Sequence, residues 1–418
     1  MNKKQVIEEA KKRANLGEDL EKLKKSVQEV VAELKKSINE KNIDAEVFIG
    51  GSFAKGTLIK SKEYDVDIFL RFSKKYMNEN ISDLTQKIVS MFNVERIHGS
   101  RDYFNFHKNK ILFEIIPVIR INKPEEAQNV TDLSSLHVDY VLRNTNEKIK
   151  EEIKVTKLFM QANKCYGAES YIRGFSGYAI ELLLIKFKCF LNMAKFFARK
   201  RKEKVVIDLE KHYKKRVEMN ENKMASPLIL VDPVDKRRNA CASLSEECFK
   251  RFSIACSKFL KKPSIKFFEV KEIDKEIIEK KLKKYAKKRK AELLILSASC
   301  NKRKDIGKTK LLKFFNILCR EIEKNNKIIK KEILFEEDSA YYYFVIDSVK
   351  EIIRQGPPLR LKKFVENFKK KNKNWFIKRN KIFAKVKNKN TKEILEDIKE
   401  IQKKYKIKIK NSFKKHKQ

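Results

Sequence analysis

The segment that most constrains this chain is Ile49–Phe72, IGGSFAKGTLIKSKEYDVDIFLRF. Its last part, Tyr64–Phe72, is rich in β-branched and aromatic residues and reads as a strand. Side chains alternate along a strand, so Asp65 and Asp67 share one face while Val66, Ile68 and Leu70 take the other. Two like charges placed this way repel unless something positive sits between them. A divalent cation answers that need, and Mg²⁺ takes carboxylate, phosphate and water oxygens. Upstream, Gly50-Gly51-Ser52 leaves a short strand, Glu46–Ile49, and opens a helix. Backbone N–H groups there, with the Ser52 hydroxyl, can cradle phosphate oxygens.

Two-metal transfer needs a third carboxylate on the side of an attacking hydroxyl. The next apolar strand, Ile111–Ile121, carries Glu114 as a lone acid among apolar residues. Such an acid is expensive to bury unless it is paired or binds a metal. Each piece has a plainer reading: a turn, a solvated sheet edge, a Glu facing water. The order of the three pieces is what points to nucleotidyl transfer.

Composition agrees with a polyanionic partner. The 418 residues carry a net charge of +43, and 42% of them are hydrophobic, enough for real cores. Lys-rich codon bias inflates the positive count but does not remove balancing acids, so nucleic acid is favoured over a membrane surface. At about 150 residues per domain the length suggests two or three domains. Seven scattered cysteines without C-x-x-C or zinc spacing, and a charged N-terminus without an apolar leader, point to the cytoplasm. The most apolar stretch, Tyr178–Met193, contains Glu181, Lys186 and Lys188, and reads as a buried helix rather than a membrane span.

Along the chain, residues 1–41 show helical periodicity, the strands named above follow, and helix dominates from Glu147 to Phe197. A Pro-containing loop, Asp232–Asn239, precedes a helix over Ser245–Leu260, and Lys262-Pro263 is a candidate boundary. Beyond it, strands are expected at Leu293–Ser297, Glu332–Phe335 and Tyr341–Ile346, with helices at Lys308–Glu323 and Ile394–Ile401.

At this point the chain resembles a known family. G-S, then D-x-D, then a third acid on a later strand is the signature of polymerase-β-like nucleotidyltransferases. GGSFAKGT with EYDVDIFLRF, FEIIPVIRI, CYGAESYIRGFSGYAIELL, VDPVDKRRNACASLS and, weakly, IRQGPPL look like the motifs of the archaeal-type (class I) CCA-adding enzymes in particular. The resemblance implies an α+β fold with a nucleotidyltransferase head at 1–144 and a helical central domain at 145–262. A small αβ RNA-binding body at 263–388 and a basic helical tail at 389–418 would follow.

It also implies an enzyme that adds C, C and A to tRNA 3′ ends from CTP and ATP without a template, using Mg²⁺. The tRNA would be held by its acceptor stem and 3′ end, with no membrane involved; the family is often a homodimer. Asp65, Asp67 and Glu114 would hold the metals, and Ser52, beside Gly51, would contact the triphosphate with Lys55. Ser134 and His137 match positions near the sugar and phosphates, Lys157 and Tyr166 match triphosphate contacts, and Arg238 and Asp235 match the place where the base is read. Arg173–Gly177 reads as a packing element. His137 and Tyr166 each have a plainer reading, as a structural histidine and as core packing. The chain departs from the family pattern in Glu114 where Asp is usual, and in Leu133 and Lys55 where a basic residue and Arg are common. The tail after about residue 385 is short. A related template-independent polymerase making poly(A) or oligoadenylate, and a non-catalytic RNA-binding relative, remain the competing readings.

Overall fold

The N-terminal stretch expected as one helix is two, α1 (Lys3–Ala14) and α2 (Asp19–Glu40). The break passes through Asn15, in extended conformation, and Gly17, at φ +56°. The two halves serve different cores. α1 buries Val6, Ile7, Ala10 and Ala14 among helices, while α2 lays Leu23, Val27, Val30, Leu34 and Ile38 on a sheet. A single straight apolar stripe could not face both. Asn2 and Gln5 close a reciprocal cap at the start of α1.

The structure, a computed structural model, describes residues 2–99, 101–199, 203–215, 217–270, 274–301, 304–336, 338–347, 351–387, 389–405 and 407–411. It divides into two compact units, Met1–Lys271 and Glu272–Gln418. The division falls beyond Lys262-Pro263, because Phe268 is buried in the helical core of the first unit.

In the first unit, β1 (Ala45–Ile49) leads through α3 (Gly51–Ala54) to β2 (Tyr64–Phe72). After α4 (Ile81–Ile88) come β3 (Glu95–Ile97), β4 (Tyr103–Lys108) and β5 (Ile111–Ile119). The sheet order is β1-β2-β5-β4-β3, with β2 and β5 parallel and the other pairs antiparallel. β2 and β5 are apolar on the face under α2, which is why they read as strands from sequence alone.

Next come α5 (Ser134–Asn144), α6 (Glu147–Ala162), α7 (Gly177–Phe187) and α8 (Phe190–Phe197). A two-stranded parallel sheet of β6 (Val205–Asp208) and β7 (Leu228–Val231) follows, with the short helix α9 (Glu221–Met224) between them in sequence. The 232–239 loop then leads to α10 (Glu246–Lys261), capped by Ser245. Phe159, Phe175, Phe190, Phe252, Phe259 and Phe268 form an edge-to-face aromatic core. Among the described residues no helix is long and apolar enough to cross a membrane.

The second unit holds α11 (Lys275–Arg289), β8 (Glu292–Ser299), α12 (Lys304–Asn325), β9 (Ile328–Phe335) and β10 (Ser339–Ile346). A three-stranded sheet, β11-β13-β12, is formed by β11 (Glu351–Pro358), β12 (Trp375–Lys378) and β13 (Lys381–Lys387), with α13 (Lys362–Lys371) against β11. The C-terminal stretch is built into this unit: α14 (Thr391–Tyr405) buries Ile394 and Ile398, and β14 (Lys408–Asn411) pairs with β8.

Candidate active site

Asp65 and Asp67 stand on the face of β2 turned away from α2, with Asp65 exposed and Asp67 half-buried. The parallel register sets Asp67 beside Glu114, so both project from the same face of adjacent strands. On the far side of β5, Asn105 pairs with Glu114 and donates from Nδ2 to Oε1 at 3.1 Å. Burial raises the pKa of Asp67; Lys55 pulls it down, Asp65 pushes it up, and the net direction is upward.

Glycine is required above these acids. Gly50 donates its N–H to the Asp67 carbonyl at 2.9 Å, and a side chain on Gly50 would strike the Phe69 ring. Gly51 sits at φ +60°, and a Cβ on it would lie 1.7 Å from Asp67 Oδ2. Backbone and carboxylate therefore approach more closely there than any L side chain allows. Ser52 follows in the single turn of α3, and α5, carrying the half-buried Ser134 and His137 one turn apart, packs against it.

Behind this face lies a buried ionic cluster. Glu181 of α7, fully buried, accepts from Lys55 Nζ at 2.5 Å and from the Thr57 hydroxyl at 2.6 Å. Lys157 of α6, only 1% exposed, donates to the other side of this group: Glu181 Oε1 at 3.2 Å, and the Thr57 hydroxyl and carbonyl at 3.0 and 3.1 Å. Burial alone would raise the Glu181 pKa, but Lys55 and Lys157 outweigh it and hold the carboxyl below its ordinary value. Both lysines are buried, both bond Glu181, and both also pull on Asp67. Tyr166 is half-buried, and its hydroxyl and Lys157 Nζ both press on Gly177, 3.3 and 3.7 Å from where a Cβ would be. Gly174 touches the Cys165 carbonyl and Phe175 is fully buried, so Arg173–Gly177 does act as packing.

A second buried acid, Asp232, organises the loop after β7. Its Oδ2 meets His137 Nε2 at 2.9 Å and accepts from Arg238 Nη1 at 2.5 Å. Its Oδ1 accepts from the Tyr178 hydroxyl and the Val234 N–H, each at 3.0 Å. Burial opposes ionisation of Asp232, yet the bonds from His137 and the charge of Arg238 hold its pKa well below the carboxylate range. Burial lowers the His137 pKa against the pull of Asp232. The Tyr178 and His137 rings lie 4.3 Å apart, tilted by 34°, with Lys55 and Arg238 over the tyrosine at 5.8 and 5.6 Å. Asp235 lies in the same loop as Arg238 but pairs with its neighbour. Its carboxylate bonds the Arg237 guanidinium at 2.9 and 3.2 Å, while the guanidinium of Arg238 belongs to Asp232.

Sequence reasoning passed over Glu181, Asp232, Tyr178 and Asn105. For Glu181 a signal existed: a lone acid in an apolar helix, the same argument applied to Glu114.

Among the described residues, no three His, Cys, Asp or Glu side chains converge as a ready metal-holding group. The donor chemistry still fits a hard divalent cation: carboxylates on adjacent strands, one in register with the next, and a glycine leaving the Asp67 oxygen uncovered.

A mixed sheet presenting acids beside a glycine turn, backed by lysines, defines a nucleotidyltransferase. Residues 31–161 match the nucleotidyltransferase domain family, and residues 151–269 match the second domain of tRNA nucleotidyltransferases. The chain is 35% identical over 364 residues to the CCA-adding enzyme of Nanoarchaeum equitans, covering 84% of this chain and 86% of that one. It is 30% identical to the CCA-adding enzyme of Methanocaldococcus jannaschii, over 88% of this chain and 83% of that one. The CCA-adding enzyme of Picrophilus torridus is 34% identical over 58% of this chain and 55% of its own length. A solved structure of the Cid1 poly(U) polymerase aligns with a TM-score of 0.49 at 13% identity, covering 64% of this chain and 98% of that one. The chain belongs to the family of CCA-adding enzymes, the tRNA nucleotidyltransferases. Enzymes of this class work with a divalent metal ion.

Proposed function

We propose that this chain adds C, C and A to the 3′ end of tRNA from CTP and ATP, copying no template. The observation that carries the reading is the register of Asp67 beside Glu114, under a glycine turn that no side chain could replace. The 3′-hydroxyl of tRNA attacks the α-phosphate of the nucleotide, and pyrophosphate leaves. Bound by Asp65, Asp67 and Glu114, Mg²⁺ would supply the positive charge that acidifies a hydroxyl and offsets phosphate charge.

The chain's own groups do the rest. Gly51 and Ser52 offer the turn to phosphate oxygens, and Lys55 and Tyr166 orient the triphosphate. Lys157 keeps Lys55 and Glu181 in place from behind. Ser134 and His137 stand where the sugar and phosphates lie, and Arg238 presents a planar donor fork to the base. The excess of Lys and Arg grips tRNA phosphates, so binding weakens steeply with salt. The division into head, central domain and body, with the basic tail packed on the body, a homodimeric state and a cytoplasmic location are part of this reading; seven free cysteines support the last.

The test is incorporation of labelled CTP and ATP into tRNA transcripts ending at the discriminator base, at C and at CC. A defined addition that needs both nucleotides is expected. An open-ended homopolymer, or no incorporation, would overturn the reading.

A further inference from the structure

We infer that Asp232 is a positioning residue that sets nucleotide choice by holding Arg238, His137 and Tyr178 as one rigid unit. The inference rests on the proposed role of Arg238 in reading the base.

The Asp232 side chain is fully buried, so it does not touch nucleotide itself. Each of its oxygens takes two partners, and these come from different parts of the fold: His137 from α5, Tyr178 from α7, and Arg238 and Val234 from the loop after β7. The backbone closes the same loop, with Asp232 N–H donating to the Arg238 carbonyl at 2.9 Å and Arg238 N–H to the Asp235 carbonyl at 2.9 Å. The Arg238 side chain keeps 26% exposure, so one side is anchored while part of the guanidinium stays open to a ligand.

A pocket without a template must recognise a base by the fixed direction of its donors. An arginine free to rotate would present its fork in many directions and lose discrimination on each binding event. A buried carboxylate on one Nη removes that freedom before the nucleotide arrives. The same carboxylate meets His137 and the Tyr178 hydroxyl, and the Tyr178 ring has Lys55 and Arg238 at 5.8 and 5.6 Å from its centre. The base-facing arginine and the triphosphate-facing lysine are thereby referred to one floor.

The test is a double-mutant cycle on purified full-length protein, with the CTP-to-ATP ratio of kcat/KM measured on a tRNA transcript ending at the discriminator base. Asp232→Asn keeps the volume but turns an N–H₂ or a weaker acceptor toward Arg238. It is expected to erode the ratio at least about tenfold, chiefly through KM for nucleotide, with tRNA binding retained. In an Arg238→Ala background the same change is expected to add less than about twofold, because the two residues act as one. A purely structural Asp232 would lower kcat and thermal stability without moving the ratio, and its effects would multiply with those of Arg238→Ala; that result overturns the inference. If Asp232→Asn does not fold, Tyr178→Phe removes one partner of the carboxylate and is expected to shift the ratio in the same direction, again without adding to Arg238→Ala. An independent, multiplying effect there also overturns it. Should Arg238→Ala alone leave the ratio unchanged, the base-reading role itself fails and takes this inference with it. A changed ratio in Arg238→Ala with an unchanged one in Asp232→Asn sinks the Asp232 inference alone.

Discussion

Asp67 and Glu181 feel the same two lysines and respond in opposite directions. Glu181 is enclosed, bonded by Lys55, Lys157 and Thr57, and its pKa is driven below its ordinary value. Asp67 stands at the sheet face with Asp65 beside it, and despite Lys55 and Lys157 its pKa lies above its ordinary value. An acid whose charge is fully answered by the protein is scaffold. An acid left under-compensated by the protein suits a ligand cation. Asp232 falls on the scaffold side with Glu181, and it does so with a ligand-facing arginine among its partners.

That contrast can be broken most sharply at the sheet face. Asp67→Ala is expected to reduce nucleotide incorporation by more than about a thousandfold, with tRNA binding by filter assay nearly unchanged. Retained incorporation would remove the metal assignment. Gly51→Ala comes next. Its backbone lies at φ +60°, costing about 1–2 kcal/mol for an L residue, and its methyl would displace the Asp67 carboxylate. Incorporation should fall about a hundredfold or more while thermal stability drops only modestly.

The scaffold side should show the reverse pattern. Glu181→Ala leaves two buried lysines without their acid and is expected to cost about 3–5 kcal/mol in urea unfolding. The sign of its pH dependence follows from its lowered pKa. Its contribution is present in full above the unfolded-chain value of about 4.3 and fades as pH falls through the lower folded value. The stability gap between wild type and Glu181→Gln should therefore be flat near neutrality and shrink in acid. A gap that widens on acidification would contradict the pairing. The smallest effect is expected at Asp235→Ala, whose carboxylate is engaged by exposed Arg237. Nucleotide choice should stay within about twofold of wild type, since solvent-exposed pairs contribute little.

Much of the first unit was legible in sequence for a local reason. β2 and β5 are buried on the face under α2, so their apolar runs stand out, and a strand's alternation places Asp65 and Asp67 together without further information. The edge strand β3, its neighbour β4 and the β6–β7 pair are short, and their pattern says little until a partner strand is known. The split between α1 and α2 was hidden because helical periodicity runs through both; only the existence of two separate cores explains the break at Asn15–Gly17. The partners of Asp235 were hidden for a similar reason. Three basic residues follow it in sequence, and proximity along the chain does not say which guanidinium turns back to which carboxylate.

By itself, the sequence determined the reaction type: two acids at strand spacing, a glycine turn before them and a third acid after them are short-range patterns whose chemistry survives without coordinates. Membership of the CCA-adding family was likewise carried by contiguous motifs. Tertiary structure alone decided which charges are answered and which are left open. Lys55 meets Glu181 across 126 positions of chain, and His137 meets Asp232 across 95. Pairings at that separation are chosen by how helices pack on a sheet, and burial then fixes their strength, because a charge taken from water must find its partner wherever the fold has put it.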